Sequence, residues 1–188
     1  MKIRILEESG HQWAICGLCL SYQELPDDLD EFISQRKMEL AQRLAAKDGG
    51  HNKFLESVSV WLDIDAPVYF WQEFDTYRTG MTKQSESKMH TLMKRELTKD
   101  DFEGGVNSAA LSYVNHFIRE KQFNDALGAL PMSFLQRRVI ATNYKALRTI
   151  CNQRRGHKLT QWKQFVDHME AELMWPWAVM QHKEADND

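Results

Sequence analysis

The sequence predicts an α/β (α+β) fold in which helices outnumber strands around a small sheet. Residues 1–6 and 57–64 alternate between apolar and polar side chains, the two-residue period of a half-buried strand. Much of the remaining chain repeats apolar residues every three or four positions, as amphipathic helices do. With 188 residues, of which 43% are hydrophobic and 27% charged, the chain is long enough for one domain with its own core.

Charge and composition exclude several classes of protein. The chain has 24 Lys and Arg against 27 Asp and Glu, so no global positive field attracts nucleic acid or an anionic membrane. No segment approaches the roughly 18 apolar residues of a membrane span, and no cleavage signature flanks the apolar run at residues 13–20. We therefore expect a cytoplasmic protein without nucleic-acid or membrane partners, in which any phosphate ligand meets a local basic site.

The first half of the chain alternates between strand and helix signals. Residues 1–6 predict a strand, and residues 13–21 fit either a helix or a strand. Pro26 and the two aspartates after it predict the start of a helix, which Gly49 and Gly50 end. Residues 57–64 then predict a strand with Val58, Val60, Leu62 and Ile64 on one face.

The second half is mostly helical. Pro67 opens a helical repeat of Phe70, Phe74 and Tyr77, and polar residues 79–89 predict a loop. Three further helices are expected, the first with Leu111, Val114, Phe117 and Ile118, the second with Ile140, Tyr144, Leu147 and Cys151, and the third with Trp162, Phe165, Val166, Met169 and Leu173. The chain after His182 is polar.

Three cysteines cannot all pair within one chain. Cys16 and Cys19 form a C-x-x-C, which allows redox or metal chemistry, but no second C-x-x-C accompanies it. The alternative is two buried thiols on one helical face. We expect no metal site.

The common catalytic motifs of phosphate loops, dinucleotide folds, esterases and zinc proteases are absent from the sequence. Polar residues concentrate instead at 78–90 and 137–158, where arginines and hydroxyls suit an anionic, hydrogen-bonding ligand such as a nucleotide. Asn143 and Arg154 lie 11 residues apart, so they share a helix face and are predicted to line one pocket. A set of basic residues also fits the solvated face of an amphipathic helix: Arg137, Arg138, Lys145 and Arg148.

Three stretches together resemble the flavin-dependent thymidylate synthases, the ThyX family. The first runs from His51 through Glu56 and a strand to Pro67. The second, residues 67–78, stands where the family has a helix leading into R-H-R-x-x-S-x-N-E-x-S-x-R. The third has the family's Leu-Pro, Asn, Arg and Gln-Trp, in order and with matching spacing as far as the Arg, at Leu130, Pro131, Asn143, Arg154, Gln161 and Trp162.

The sequence departs from the family pattern in its second stretch. The R-H-R triplet is Thr76-Tyr77-Arg78 here, so one Arg remains. The N-E-x-S-x-R segment aligns with residues 83–88 or, with one inserted residue, with 84–89, and neither register restores the Glu. The chain is also shorter than typical members.

The resemblance implies a single ThyX-like domain at residues 1–182, with a mostly antiparallel sheet, and a polar tail at 183–188. It implies a homotetramer that transfers a one-carbon unit to C5 of dUMP, using methylenetetrahydrofolate, reduced FAD and NADPH. The family uses no protein nucleophile, so the protein's part is to position flavin and pyrimidine and to polarise the base.

The resemblance also implies site residues. The cofactor-binding candidates are Ser21, His51, Glu56, Tyr77, Arg78 and Asn143. The substrate-binding candidates are Gln84, Ser85, Ser87, Lys88 and Arg154. Arg154 is also the catalytic candidate, since it would stabilise negative charge on the uracil carbonyl as hydride attacks C6. Lys88 would replace the family's phosphate-binding Arg as a point charge.

Alternatives remain open at this point. His51 also fits a residue at a helix exit, and Glu56 an exposed residue at a strand entry. Because Thr76 and Tyr77 replace charged residues, FAD is expected to bind weakly, with partial compensation if Tyr77 stacks on the cofactor. A second function is a catalytically inactive nucleotide-binding or sequestering protein, and a third is a helical domain without a ligand.

Overall fold

The computed structural model describes residues 1–25, 27–47 and 50–180, without the side chains of Asp30 and Glu31. Its strands form one antiparallel sheet in the order β1-β2-β4-β3. The bounds are β1 Lys2–Ser9, β2 Ser59–Pro67, β3 Thr82–Ser85 and β4 Leu135–Asn143. The predicted fold class, helices on a small antiparallel sheet, is therefore confirmed.

The helices account for most of the remaining chain, and none that is described has the length and apolar character needed to cross a bilayer. The α-helices are α1 His11–Cys19, α2 Leu29–Phe32, α3 Gln35–Ala45, α4 Val68–Phe74, α5 Lys88–Thr91, α6 Ser108–Arg119, α7 Phe123–Gly128, α8 Tyr144–Arg154 and α9 Thr160–Glu172. Short 3-10 turns occupy Lys53–Ser57, Leu92–Lys94, Lys99–Asp101 and Pro176–Ala178.

The chain divides into two compact units, each built from separate pieces of sequence. Unit 1 comprises Met1–Arg4, Asp63–Arg78 and Lys83–Ile140. Unit 2 comprises the described residues of Ile5–Leu62, Thr79–Thr82 and the chain from Ala141 on. The single domain expected from the sequence stays a prediction.

Unit 1 has a core beneath α6, where Leu92, Phe102, Val114 and Ile118 belong to one buried cluster. Asn115 is also buried there, and its carboxamide accepts from the Leu97 N–H at 2.8 Å and donates to the Leu97 carbonyl at 2.9 Å. The helical repeat predicted for this segment is thus confirmed, and its one buried amide is satisfied.

In unit 2, the inward face of β2 and the helices α8 and α9 supply the core. Val58, Val60 and Leu62 are fully buried, as the alternating pattern predicts. The same is true of Tyr144 and Leu147 on α8 and of most of the predicted apolar positions on α9: Trp162, Phe165, Val166 and Met169. The Tyr144 N–H donates to the Val58 carbonyl at 3.2 Å.

Two predictions for the second half are wrong. Residues 135–143 form strand β4, although the spacing from Ile140 predicted a helix there. Backbone pairing within the sheet, favoured by β-branched Val139, Ile140 and Thr142, outweighs the helical spacing. The expected loop at residues 79–89 contains β3 and the start of α5.

The four basic residues that were interpreted as one solvated helix face do not share a helix face in the structure. Arg137 and Arg138 lie on β4, and Arg148 is buried on α8, where it donates to the Ala178 carbonyl at 3.0 Å. Lys145 is half-buried. The spacing of basic residues in the sequence does not distinguish side chains on a solvated helix face from side chains that donate hydrogen bonds to buried carbonyl groups.

In the first half, residues 11–19 form a helix, which decides the open alternative. Cys16 and Cys19 are both free and buried on it, so the interpretation as buried thiols is confirmed. The long helix expected to end at Gly49 is instead interrupted after Phe32, and Ser34 begins α3 in an extended conformation. Pro26 and Gly49 themselves lie outside the described residues.

Gly10 starts α1 at a position that other residues cannot occupy. Its φ is +93°, and a Cβ would lie 2.5 Å from the carbonyl oxygen of Ser57. The close approach of the two backbones explains why the chain turns from β1 into α1 at a glycine.

Asp63 joins three neighbouring strands of the sheet. Its carboxylate on β2 accepts from Arg4 Nε on β1 at 2.9 Å and from Arg137 Nε on β4 at 2.6 Å. Asp63 is 6% exposed. The hydrogen bond from Arg137, together with that from Arg4, lowers the pKa of Asp63 to about 2 despite burial.

We predict that Asp63→Asn lowers the free energy of unfolding by about 1–3 kcal/mol at neutral pH, because the amide loses the charge that both arginines face. The folded-state pKa lies below the unfolded value, so this contribution is present above pH 4 and disappears as pH falls through about 2. Urea unfolding at several pH values measures it.

The matched control is Glu96→Gln, since the Arg119–Glu96 pair is about half exposed on both sides and contributes little. A difference between Asp63→Asn and wild type that persists unchanged below pH 2 would contradict the ionic explanation.

Candidate functional site

The end of α4 in unit 1 carries the remaining Arg of the family-like triplet. Arg78 is exposed two residues beyond Thr76, whose hydroxyl donates to the Glu73 carbonyl at 2.7 Å. The Tyr77 ring is half-buried and lies edge-on to Phe74, with 6.2 Å between centroids. Arg78 is thus the only positively charged group of the triplet.

Lys83 on β3 reaches back to this segment. Its Nζ donates to the carbonyls of Phe74 at 3.0 Å and Tyr77 at 2.5 Å, and it lies 3.4 Å from an oxygen of Asp75. Burial lowers the pKa of Lys83, while Asp75 opposes that shift. The ammonium therefore binds the backbone immediately before Arg78.

Arg138 on β4 is the second cation that contacts Asp75. It donates through Nη1 to Asp75 at 2.7 Å and through Nη2 to Gln136 at 3.2 Å. Its guanidinium lies 4.4 Å from the Trp71 ring centroid, a cation–π contact. The Nε atom is buried without a hydrogen-bond partner in the part of the chain that the structure describes.

A groove of about 920 Å³ lies beside these residues in unit 1. Its walls carry both charges, including Arg137 and Arg138 of β4 and Asp65, whose pKa is raised by burial. Arg95 and Asp101, also in the wall, form an ion pair at 2.6 Å. The predicted substrate residues Gln84 and Ser85 line the groove.

Ser87 and Lys88 follow β3 in the sequence and lie at the start of α5. Ser87 is exposed, and its carbonyl accepts from the N–H groups of His90 at 3.0 Å and Thr91 at 3.2 Å. Lys88 is half-buried, with Nζ 5.5 Å from the Phe134 ring centroid, and burial lowers its pKa. The Ser87 hydroxyl and the Lys88 ammonium therefore belong to consecutive residues that follow the groove residues Gln84 and Ser85 in the sequence.

In unit 2, Asn143 forms the junction between β4 and α8. Its Oδ1 accepts from the Ala146 N–H at 2.9 Å and so caps the helix. Gly80 packs so closely that a Cβ there would lie 3.0 Å from Asn143 Nδ2, and its φ is +71°. Thr142 Oγ1 donates to the Gly80 carbonyl at 3.1 Å. The side chain of Asn143 is thus held in one orientation.

Lys145 connects this junction to the segment with His51 and Glu56. Its Nζ donates to Asn52 Oδ1 and lies 3.9 Å from Glu56 Oε1. Asn52 is 1% exposed and donates to the Ala45 carbonyl at 3.3 Å, whereas His51 and Glu56 are exposed. The structure therefore groups these residues beside the start of α8.

Sequence reasoning missed Asn52 and Lys145. Their only signal is position, since Asn52 follows His51 and Lys145 comes two residues after Asn143.

Arg154 is the last residue of α8. It follows the N-cap Asn143 by three helical turns, so the two residues share a face but lie about 16 Å apart along the helix axis. Its guanidinium is half-buried and lies 4.6 Å from the Trp162 ring centroid. A ligand that touches both Asn143 and Arg154 must span the length of the helix. Ser21 is exposed in the turn after α1, and no contact found among the described residues joins it to the other candidates.

Among the residues that the structure describes, no group of three or more His, Cys, Asp or Glu side chains is arranged to hold a metal ion.

Comparison with known proteins gives the fold. No protein-family model matches the sequence, and no curated protein matches it. Among solved structures, the flavin-dependent thymidylate synthase ThyX from Helicobacter pylori, complexed with FAD and dUMP, aligns with a TM-score of 0.77 at 17% identity, covering 92% of this chain and 94% of that one. A second structure, Thymidylate Synthase X from Helicobacter pylori with FAD and dUMP, gives 0.78 at 16% identity, covering 94% and 95%. This chain has the ThyX fold over nearly its whole length.

We predict that Asn143→Ala lowers the free energy of unfolding by about 1 kcal/mol, because the first turn of α8 loses its cap. Asn143→Asp keeps an oxygen at the same place and restores most of that loss. Thermal unfolding of the three proteins measures the effect. Equal destabilisation by both substitutions would show that the cap is not what Asn143 contributes.

Proposed function

We propose that this protein is a thymidylate synthase-like enzyme that transfers a one-carbon unit to C5 of dUMP, with methylenetetrahydrofolate and reduced FAD. The observation that carries the proposal is the match in fold over 92% of this chain to a protein complexed with FAD and dUMP. The three stretches that resemble the ThyX family in sequence, within residues 51–67, 67–78 and 130–162, also support the proposal.

The candidate residues fit FAD in their chemistry. Arg78 presents an exposed guanidinium, which suits the pyrophosphate. Tyr77 provides an aromatic ring, and Asn143 an amide fixed by Gly80. Ser21, His51 and Glu56 are exposed polar candidates for the remaining contacts. When bound, the reduced flavin supplies the hydride for the pyrimidine, and NADPH is the proposed source of its electrons.

Different residues are proposed to bind the phosphate, the nucleotide in the groove and the uracil base of dUMP. Ser87 and Lys88 take the phosphate, one as a hydroxyl donor and the other as a point charge. Gln84 and Ser85 contact the nucleotide in the groove. Arg154 donates to a uracil carbonyl and stabilises the negative charge that develops there, and Trp162 supports one face of its guanidinium.

We extend the proposal to a cytoplasmic homotetramer. The aromatic clusters at residues 69–71 and 175–177 offer little surface for association, since Phe70, Trp71 and Trp175 are buried. Other aromatic side chains remain exposed, however, and support association: Trp13 at 57%, Trp61 at 39% and Tyr22 at 86%.

A second candidate function is nucleotide binding without catalysis. It is favoured by Thr76 and Tyr77, which bring no charge to the place where the family motif has two basic residues. Both functions require dUMP binding, but only the enzyme requires FAD to bind.

We predict that Arg154→Ala weakens dUMP binding by about 30- to 150-fold, equivalent to the roughly 2–3 kcal/mol of a charge-assisted hydrogen bond. The fold should persist, because Arg154 is half-exposed at a helix end. Isothermal titration calorimetry with dUMP measures the affinity.

Arg43→Ala on α3 is the control, since Arg43 is exposed and is none of the candidates. Arg155→Ala is unsuitable, because Arg155 pairs with Glu170 and donates to the Val179 carbonyl at 3.1 Å. Equal dUMP affinity for Arg154→Ala and wild type would contradict the role of Arg154.

A further inference from the structure

Lys83 is a residue of strand β3 whose side chain forms hydrogen bonds at the end of helix α4. It belongs to β3, but its ammonium lies at the C-terminal end of α4 and is 15% exposed. The three N–H bonds of the ammonium are matched by three acceptors, the carbonyls of Phe74 and Tyr77 and the carboxylate of Asp75. The side chain therefore has no remaining donor for a ligand.

The contacts are electrostatically complementary. The Phe74 carbonyl belongs to the last residue of α4, where helix carbonyls carry partial negative charge, so a cation placed there is favoured. The Tyr77 carbonyl lies three residues beyond the helix and accepts directly from the ammonium. Asp75 adds a full negative charge, and the same Oδ1 that faces Lys83 also accepts from Arg138 Nη1 at 2.7 Å. Arg138 in turn lies against buried Trp71. Lys83 and Arg138 thus fix Asp75 and Tyr77, just ahead of Arg78.

We propose that Lys83 is the positioning residue for Arg78, which it holds ready for the pyrophosphate of the flavin by binding the Tyr77 carbonyl. This inference rests on the proposed FAD site. Lys83 acts through the backbone and does not touch the cofactor.

The need for such a residue follows from the sequence. Thr76 and Tyr77 are uncharged, so Arg78 alone supplies the positive charge of this triplet. An exposed arginine on a free loop loses backbone and side-chain freedom when it binds an anion, and fixing the loop beforehand removes part of that cost.

The test compares Lys83→Met, which keeps the length of the stem without its charge, with Lys83→Arg, which keeps the charge and the donors. Lys163→Met is the matched control on exposed surface of α9. Two quantities are measured on the full-length proteins: the rate of trypsin cleavage after Arg78, followed by mass spectrometry, and FAD affinity, from quenching of flavin fluorescence. Cleavage after Arg119, at the end of α6, is the internal reference.

For Lys83→Met, we expect cleavage after Arg78 to be about tenfold faster relative to Arg119, and FAD binding to be about tenfold weaker. Lys83→Arg should stay within about twofold of wild type in both quantities, and the control should match wild type. Unchanged cleavage in Lys83→Met would overturn the inference, and so would Lys83→Arg behaving like Lys83→Met.

The cleavage rate separates this inference from the proposed function. If wild type binds no FAD, the proposed cofactor site fails together with the role of Arg78 in it, whereas accelerated cleavage would still establish that Lys83 fixes the segment. If Lys83→Met does not fold, Asp75→Asn weakens the same contacts, and about threefold faster cleavage after Arg78 is expected; no change there would overturn the inference.

Discussion

The ion cluster at Asp63 is the constraint on which the sheet depends. One buried carboxylate binds an arginine from each neighbouring strand, Arg4 on β1 and Arg137 on β4. A shift of either strand by one residue would turn its arginine to the other face and leave the charge of Asp63 without that partner. The register of β4 also decides that Arg138 faces Trp71 and that the strand ends at Asn143, where α8 begins.

Local sequence patterns predict the strands and helices that bury one face and expose the other. Around β2, the alternate residues Val58, Val60, Leu62 and Ile64 are fully buried, whereas Trp61 between them is 39% exposed, so a period of two could be predicted directly from the sequence. On β4, polar residues interrupt the apolar pattern, and their side chains bond to groups far away in sequence: Gln136 to Glu86, Arg137 to Asp63 and Arg138 to Asp75. Long-range ion pairs have no local signal, and the helical spacing from Ile140 therefore misled the prediction.

The same distinction applies to the candidate site. Asn143 and Arg154 were predicted as site residues from their type and spacing and stay predictions, and the structure places them at the two ends of one helix. Lys83, Lys145 and Asn52 belong to no motif, and their roles depend on carbonyls and amides brought near by the fold. At 17% identity to a solved structure with the same fold, the fold is retained although most residues differ.

The most direct measurement of the central claim is turnover. The purified protein is incubated with dUMP, FAD, methylenetetrahydrofolate and NADPH, and the nucleotides are analysed by mass spectrometry. A thymidylate synthase-like enzyme produces a nucleotide heavier than dUMP by one CH₂ group, and no product forms when either the folate or FAD is omitted. Tight dUMP binding without any product, even at saturating FAD, would contradict the claim and leave nucleotide binding as the function.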